Sequence, residues 1–209
     1  MEMEIAKIFI ALLVLVNPLG AIPIFISLTP THSQQERKKT ARATAIAIAV
    51  ILVLFALVGD SLLQFLGISI GSFQVGGGLL VMLIAIALMN AKPEPTKTTK
   101  VERAEAEAKT NIAVVPMAIP LMTGPGTIST VIIYSSTATS WVQLAYLVVS
   151  GLLIAITSYC ALVMASPISR MLGQTGINIV NRVMGMLLAA VSVEIIVDGI
   201  YRLFPQLVR

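Results

Sequence analysis

The sequence predicts an all-α polytopic membrane protein, with six transmembrane helices in a 3+3 inverted-topology repeat and the first helix of each half broken at mid-membrane. Three observations carry that expectation. Hydrophobic residues make up 57% of the chain and charged residues 11%, with a mean hydropathy of +0.94, whereas soluble domains carry about 25% charged residues. The apolar residues fall into six runs, and a span needs about 20 residues. The first and fourth runs are interrupted, at related positions, by residues that do not belong inside a helix.

Taken in order, the spans are Ile5–Leu28, Ala41–Leu66, Phe73–Met89, Asn111–Tyr134, Trp141–Ala165 and Ile179–Leu203. The opening "MEMEIAK" holds two acids and one lysine where a signal peptide would have a basic region, so the first span reads as a permanent helix. The connection after the first span carries Arg37, Lys38, Lys39 and Arg42. The one after the third carries Lys92, Lys97, Lys100, Arg103 and Lys109, and the one after the fifth carries Arg170, with Arg182 just inside the sixth span. The opposite side has Lys7, Arg202 and Arg209, with no basic residue in its two short loops. The positive-inside rule puts the basic side in the cytoplasm and both termini outside. The net charge of +4 therefore sorts by membrane side and calls for no nucleic-acid partner.

Between spans three and four lies the one soluble stretch of any size, "KPEPTKTTKVERAEAEAKTN". Pro93 and Pro95 give it an extended start, and "VERAEAEAK" suits a short surface helix. The organisation is one membrane domain: residues 1–90 as the first three-helix repeat, 91–110 as a cytoplasmic linker, and 111–209 as the second, inverted repeat.

The repeat rests on offsets. "LGISIGSFQVGGGLL" from Leu66 resembles "LGQTGINIVNRVMGMLL" from Leu172, the Leu-Gly pairs lying 106 residues apart. Gly77-Gly78-Leu79-Leu80 then matches Gly185-Met186-Leu187-Leu188 at an offset of 108, and Pro18 matches Pro125 at 107. A competing match of the two "AIP" triplets, at Ala21 and Ala118, needs an offset of 97 that serves no other span. Three spans per half is an odd number, so the second half enters the membrane from the opposite side.

The interruptions are "VNPLGAIP" and "TGPGT". Asparagine is a strong helix cap and proline suits the first helical position. Asn17-Pro18 therefore reads as the start of a second half-helix in mid-membrane, followed by Leu19 and Gly20. Thr123 or Gly124 caps the other, with Pro125 first, Gly126 allowing close approach, and Thr127 following. Such starts present unpaired N–H groups and partial positive charge. Paired breaks in inverted halves point to a transporter site. The two starts suit a carboxylate, while Asn17, Thr123 and freed carbonyls suit an ammonium group, which together describe a small zwitterionic amino acid. Simple kinks are the alternative, and Pro116, Pro120 and Pro23 read as such.

Ionisable groups inside spans are functional candidates. Glu194, Asp198 and Arg202 share one face of the sixth span. Asp198 is expected to pair with Arg202. Glu194 lies deeper, where burial favours the protonated acid, so it is either a proton-coupling group or a neutral hydrogen-bonding acid. Asp60 lies near a span end, where interfacial solvation accounts for it. "GDSL" at 59–62 matches a hydrolase nucleophile motif, but the single histidine, His32, falls on the opposite side of the membrane, so the serine has no base. The single cysteine, Cys160, excludes an intrachain disulfide, and no metal or cofactor is expected. Gly67, Gly71 and Gly76–Gly78 read as helix-packing residues.

Three motifs together, "NPLGAIPIF", "PMAIPLMTGPGTIS" and "RVMGMLLAAVSVEIIVDGI", resemble the MarC family of six-span inner-membrane proteins over nearly the whole chain. That family includes SnatA-type transporters of small neutral amino acids such as alanine and glycine. The resemblance implies a plasma-membrane protein with a zwitterionic substrate. The chain departs from the family at Glu194, where relatives often carry a neutral Gln. The leading expectation is thus a secondary transporter of small neutral amino acids, with protons as the coupling ion to test. The alternatives are a passive channel, a non-transporting scaffold or, with no catalytic set to support it, an intramembrane enzyme.

Overall fold

The computed structural model describes residues 2–90, 117–118 and 122–208. Among the described residues seven helices follow one another: α1 (Glu2–Val16), α2 (Pro18–Leu28), α3 (Gln34–Phe65), α4 (Ile70–Met89), α5 (Pro125–Thr137), α6 (Trp141–Val163) and α7 (Ala165–Leu203), before a 3₁₀ turn at Pro205–Val208. Among the described residues there is no strand, and five helical stretches are long and apolar enough to span a membrane, α1 and α2 counting as one, Ile5–Leu28. The 91–110 linker with its "VERAEAEAK" segment, the start of the fourth span at Asn111, and Pro116 and Pro120 lie outside the described residues.

Two helix starts differ from the sequence expectation by more than three residues. The second span begins at Gln34 rather than Ala41, because Ser33 and Glu36 close a capping box. The Ser33 N–H donates to Glu36 Oε2 at 2.7 Å and its hydroxyl at 2.8 Å, and the Glu36 N–H donates back to Ser33 Oγ at 3.3 Å. In this exposed first turn, ahead of the apolar stretch, the Ser33 side-chain and backbone bonds hold the Glu36 carboxyl below its ordinary value. The sixth span is helical from Ala165 rather than Ile179. Pro167 is tolerated because it falls in the first turn, where its missing N–H costs nothing. The helix then bends at Gly173, whose φ of 59° and ψ of −179° are non-helical and accessible without strain only to glycine.

α4 and α7 pack as an antiparallel pair through a seam of small residues spaced seven apart. Gly71 faces Gly199, Gly78 faces Ser192, and Ala85 faces Gly185. A Cβ on Gly71 would lie 3.1 Å from the Gly199 carbonyl oxygen, one on Gly78 3.2 Å from that of Ser192, and one on Gly185 2.8 Å from that of Ala85. In lipid, apolar surface alone does not drive helices together, so close backbone approach and its dispersion contacts do. Ser135 adds an interhelical bond, its hydroxyl donating to the Ala56 carbonyl at 2.6 Å. The main core joins α1, α2, α3 and α6 around Leu12, Phe25, Ile48, Leu52 and Ile154. Ile46, Val50, Leu54 and Leu57 leave α3 exposed on the side that faces lipid. "GDSL" is an interior piece of α3, with Gly59 packed on Ile132.

Side-chain contacts fix which ends share a membrane face. Arg37 donates to the Thr29 carbonyl through Nε (3.2 Å) and Nη2 (2.7 Å) and to Ser166 Oγ through Nη1 (3.2 Å). The α2–α3 and α6–α7 connections therefore lie together. At the opposite face, Lys7 of α1, the end of α5 and Arg202 of α7 line one cavity, which puts the start of α1 and the end of α7 on the same side.

Candidate functional site

The first span breaks where the sequence places the break. Asn17 is the cap of α2 and the one non-glycine residue with positive φ among the described residues, at φ 45° and ψ 64°. Asparagine tolerates that left-handed conformation because its short amide bonds locally. Its Oδ1 accepts from the Gly20 N–H at 3.1 Å, while its Nδ2 donates to Asn181 Oδ1 of α7, also at 3.1 Å. Gly20 is required here: a Cβ would lie against Asn17 Nδ2 and 2.8 Å from Asn181 Oδ1. Pro18 has no N–H and Gly20's is capped, so of the first three residues of α2 only Leu19 offers a free donor. Pro18 and Pro23 also cannot donate to the carbonyls four residues before them, those of Val14 and Leu19.

The second break is built differently. Gly124 caps α5 with no side-chain bond, and Pro125 is the first helical residue. The first N–H to find an intrahelical carbonyl is that of Ile128, on Gly124, at 3.1 Å. The N–H groups of Gly126 and Thr127 are left without a side-chain cap. Thr123 does not cap the helix. Its hydroxyl turns back and donates to the Ala118 carbonyl at 2.7 Å, alongside an N–H bond to the same oxygen at 2.9 Å, one residue wider than an α-helical turn. Thr127 Oγ1 reaches the Met122 carbonyl at 3.4 Å. Gly126 does allow a close approach, but of protein: a Cβ there would meet Ile84 Cδ1 at 2.6 Å and Leu15 Cδ2 at 3.8 Å.

These contacts bring the two breaks together, Gly126 lying beside Leu15, two residues before Asn17. α1 starts and α5 ends at the same cavity, so α2 and α5 run in opposite directions from adjacent starting points near the middle of the bundle. One start is capped from within and tied to α7. The other keeps its donors.

The intramembrane charges stand at a separate place. Glu194, Asp198 and Arg202 of α7 and Lys7 of α1 line a cavity of about 470 Å³ together with residues of α4, α5 and α6. Two expectations are corrected here. Glu194 is exposed towards this cavity rather than buried. Asp198 and Arg202 make no ion pair, and among the described residues none of the four charges is paired. Asp60 has a simple partner, accepting from Gln64 Nε2 at 2.7 Å.

The family model described as MarC family integral membrane protein matches residues 3–204. The chain belongs to the MarC family. It is 42% identical to the UPF0056 membrane protein YhcE of Escherichia coli, over 97% of this chain and 94% of that protein. It is 37% identical to a UPF0056 membrane protein of Buchnera aphidicola (subspecies Schizaphis graminum), over the same 97% and 94%. A UPF0056 membrane protein of Aquifex aeolicus is 35% identical, over 96% of this chain and 94% of its own. No solved structure matches.

Two residues at the sites of this MarC-family chain escaped the sequence reading. Asn181 and Gln74 both lie in stretches read only for their glycines. Gln74 is 3% exposed, and its Oε1 has no hydrogen-bond partner. The signal was present in both cases: a lone amide in an apolar span must find a partner, and that partner lies on another helix or in a ligand.

Proposed function

We propose that this MarC-family protein is a secondary transporter of small neutral amino acids of the alanine and glycine class, resident in the plasma membrane with both termini outside. One observation carries the reading: two half-helices start side by side in mid-bundle, and one of them, α5, has no side-chain cap. The substrate carboxylate binds the Gly126 and Thr127 N–H groups, aided by the positive end of the helix. The ammonium group binds carbonyls that proline leaves without a donor, Val14 and Leu19. Asn17 shapes the site from its cap position, and Gly20 leaves room for the Asn17 and Asn181 amides there.

An inverted repeat belongs to this reading. It is supported by Gly67 and Gly173, whose φ values of 66° and 59° make them the two positive-φ glycines among the described residues, and which stand at matching places in the two halves. Protons are the coupling ion in this reading, carried by Glu194 with Asp198 beside it.

The test is uptake of radiolabelled alanine and glycine into proteoliposomes, with and without an imposed pH gradient. Accumulation that collapses with the gradient supports the reading. Flux that only equilibrates across the membrane points to a passive channel, and no flux to a scaffold.

A further inference from the structure

The cavity around Glu194 lies apart from the breaks. Ala11 of α1 lines it, and Asn17 is six residues further along, about 9 Å at 1.5 Å per residue. Its charged lining is balanced, with two carboxylates, Glu194 and Asp198, and two cations, Lys7 and Arg202. Balance of that kind selects against a net anion or cation and favours a dipolar ligand. The arrangement is also ordered. Glu194, Asp198 and Arg202 succeed one another by a turn along α7, and i and i+4 side chains are neighbours on a helix. The two negative groups are therefore adjacent at the deeper end, and the positive groups lie towards the membrane face.

Four opposite charges within one cavity usually pair with one another, yet none is paired among the described residues. Gln74 adds an independent pointer. It lines the same cavity from α4, is nearly inaccessible, and keeps an amide oxygen without a donor. An unsatisfied buried acceptor is destabilising, and a bound donor removes that penalty. A cavity of about 470 Å³ falls among small-molecule pockets, which run from roughly 300 to 1,000 Å³.

We propose that this cavity is a second binding site for a free zwitterionic solute, a small α-amino acid. Its ammonium group is held between Glu194 and Asp198 with Gln74 as third acceptor, and its carboxylate by Arg202 and Lys7. The ligand chemistry rests on the transporter reading above. The site itself is an access vestibule on the face that carries both termini, one step before the breaks. It gives Glu194 a role that does not require a proton.

Equilibrium binding of tritiated alanine to the purified full-length protein tests this, in nanodiscs of phosphatidylglycerol with and without phosphatidylethanolamine. Glu194→Gln, Asp198→Asn and Arg202→Gln are each expected to weaken binding at least tenfold. Each variant must also unfold as cooperatively as the wild type on heating, which shows that the fold is intact. Propionate and ethylamine, carrying one charge each, are expected to compete at least tenfold less well than glycine. Wild-type affinity in all three variants overturns the proposal. If phosphatidylethanolamine abolishes alanine binding, the cavity holds a zwitterionic lipid headgroup instead, and the proposal fails. Alanine uptake by proteoliposomes with unchanged binding in the variants removes the vestibule and leaves transport standing. Variant-sensitive binding without uptake keeps the vestibule and removes transport.

Discussion

Asn17 and Asn181 are 164 residues apart in sequence, and their side-chain amides meet at 3.1 Å across the break between α1 and α2. The bond ties a cap residue in left-handed conformation to the last helix of the bundle. Asn17 uses both ends of its amide, accepting from Gly20 and donating to Asn181, so its geometry is fixed from two sides. The break is therefore a joint held by a distant helix, and its stability is shared between the two halves of the chain.

A double-mutant cycle measures that sharing. Asn17→Ala and Asn181→Ala should each destabilise the protein, Asn17→Ala more, because it also removes a cap of about 1 kcal/mol. The two should couple by about 0.5–1.5 kcal/mol, the range for an interhelical hydrogen bond in a membrane. Reversible unfolding in detergent gives the numbers. Strict additivity would mean that the amide bond contributes nothing.

Gly20→Ala tests the same joint from below. The added methyl group meets the Asn17 and Asn181 amides, and they cannot retreat without breaking their bonds. A loss of about 1–3 kcal/mol is expected. In an Asn181→Ala background the loss should shrink, because one obstructing group is gone. An undiminished loss there would place the clash elsewhere.

The α4–α7 seam predicts opposite signs for neighbouring glycines. A Cβ at Gly185 meets backbone, the Ala85 carbonyl oxygen at 2.8 Å and the Met89 nitrogen at 2.9 Å. Gly185→Ala should cost about 1–3 kcal/mol through overpacking. Gly76, on the exposed face of α4, has nothing within 4 Å of a Cβ. Gly76→Ala should be stabilising by roughly 0.5–1 kcal/mol, since alanine loses less backbone entropy in a helix. Thermal unfolding of the two variants, side by side, checks both signs. If Gly76→Ala destabilises as much as Gly185→Ala, the seam is misplaced.

Much of this architecture is legible in the sequence, and the rest is missing for physical reasons. Asn17-Pro18 announces its break because capping and proline sterics act within three or four residues. The all-helical membrane class follows from composition, which needs no partner. Asn181 is not legible, since nothing local says which helix will stand beside Asn17. Of the two cap candidates at the second break, Thr123 and Gly124, the helix takes Gly124. A threonine beside Gly-Pro-Gly reads as a cap, yet its hydroxyl finds the Ala118 carbonyl behind it. The exposure of Glu194 is not legible either, because burial depends on cavity shape, which a single helix does not encode. The long α7 escapes because hydropathy marks only the apolar run from Ile179, whereas the helix starts at Ala165 and bends at Gly173.

Arg37 bridges two connections on the face opposite the cavity, and its planar fork matters to that bridge. Two of its nitrogens reach the Thr29 carbonyl and a third reaches Ser166. A lysine keeps the charge but has one nitrogen and cannot span both partners. Arg37→Lys should therefore loosen the latch with little change in overall fold. Hydrogen exchange read by mass spectrometry should show faster exchange over the connection between α2 and α3 and at the start of α7. Exchange confined to only one of them would mean that Arg37 braces one connection and does not join the two.

The proposed orientation puts this latch on the cytoplasmic side, a placement that rests on charge. Arg37, Lys38, Lys39 and Arg42 flank the connection that Arg37 ties to Ser166, and Arg170 follows shortly after. Positive residues in short connections are retained in the cytoplasm. In the proposed orientation the face carrying the cavity, with the start of α1 and the end of α7, lies outside. A phosphatase that is active only outside the cytoplasm, fused after Arg209, should be active, and the same enzyme inserted near Lys97 should not. A cysteine in place of Thr137, at the cavity, should react with a membrane-impermeant maleimide applied to intact cells, while one in place of Ser166 should react only after the membrane is opened. The reverse pattern in both assays would turn the protein over, making the cavity a cytoplasmic vestibule and the arginine latch an external one.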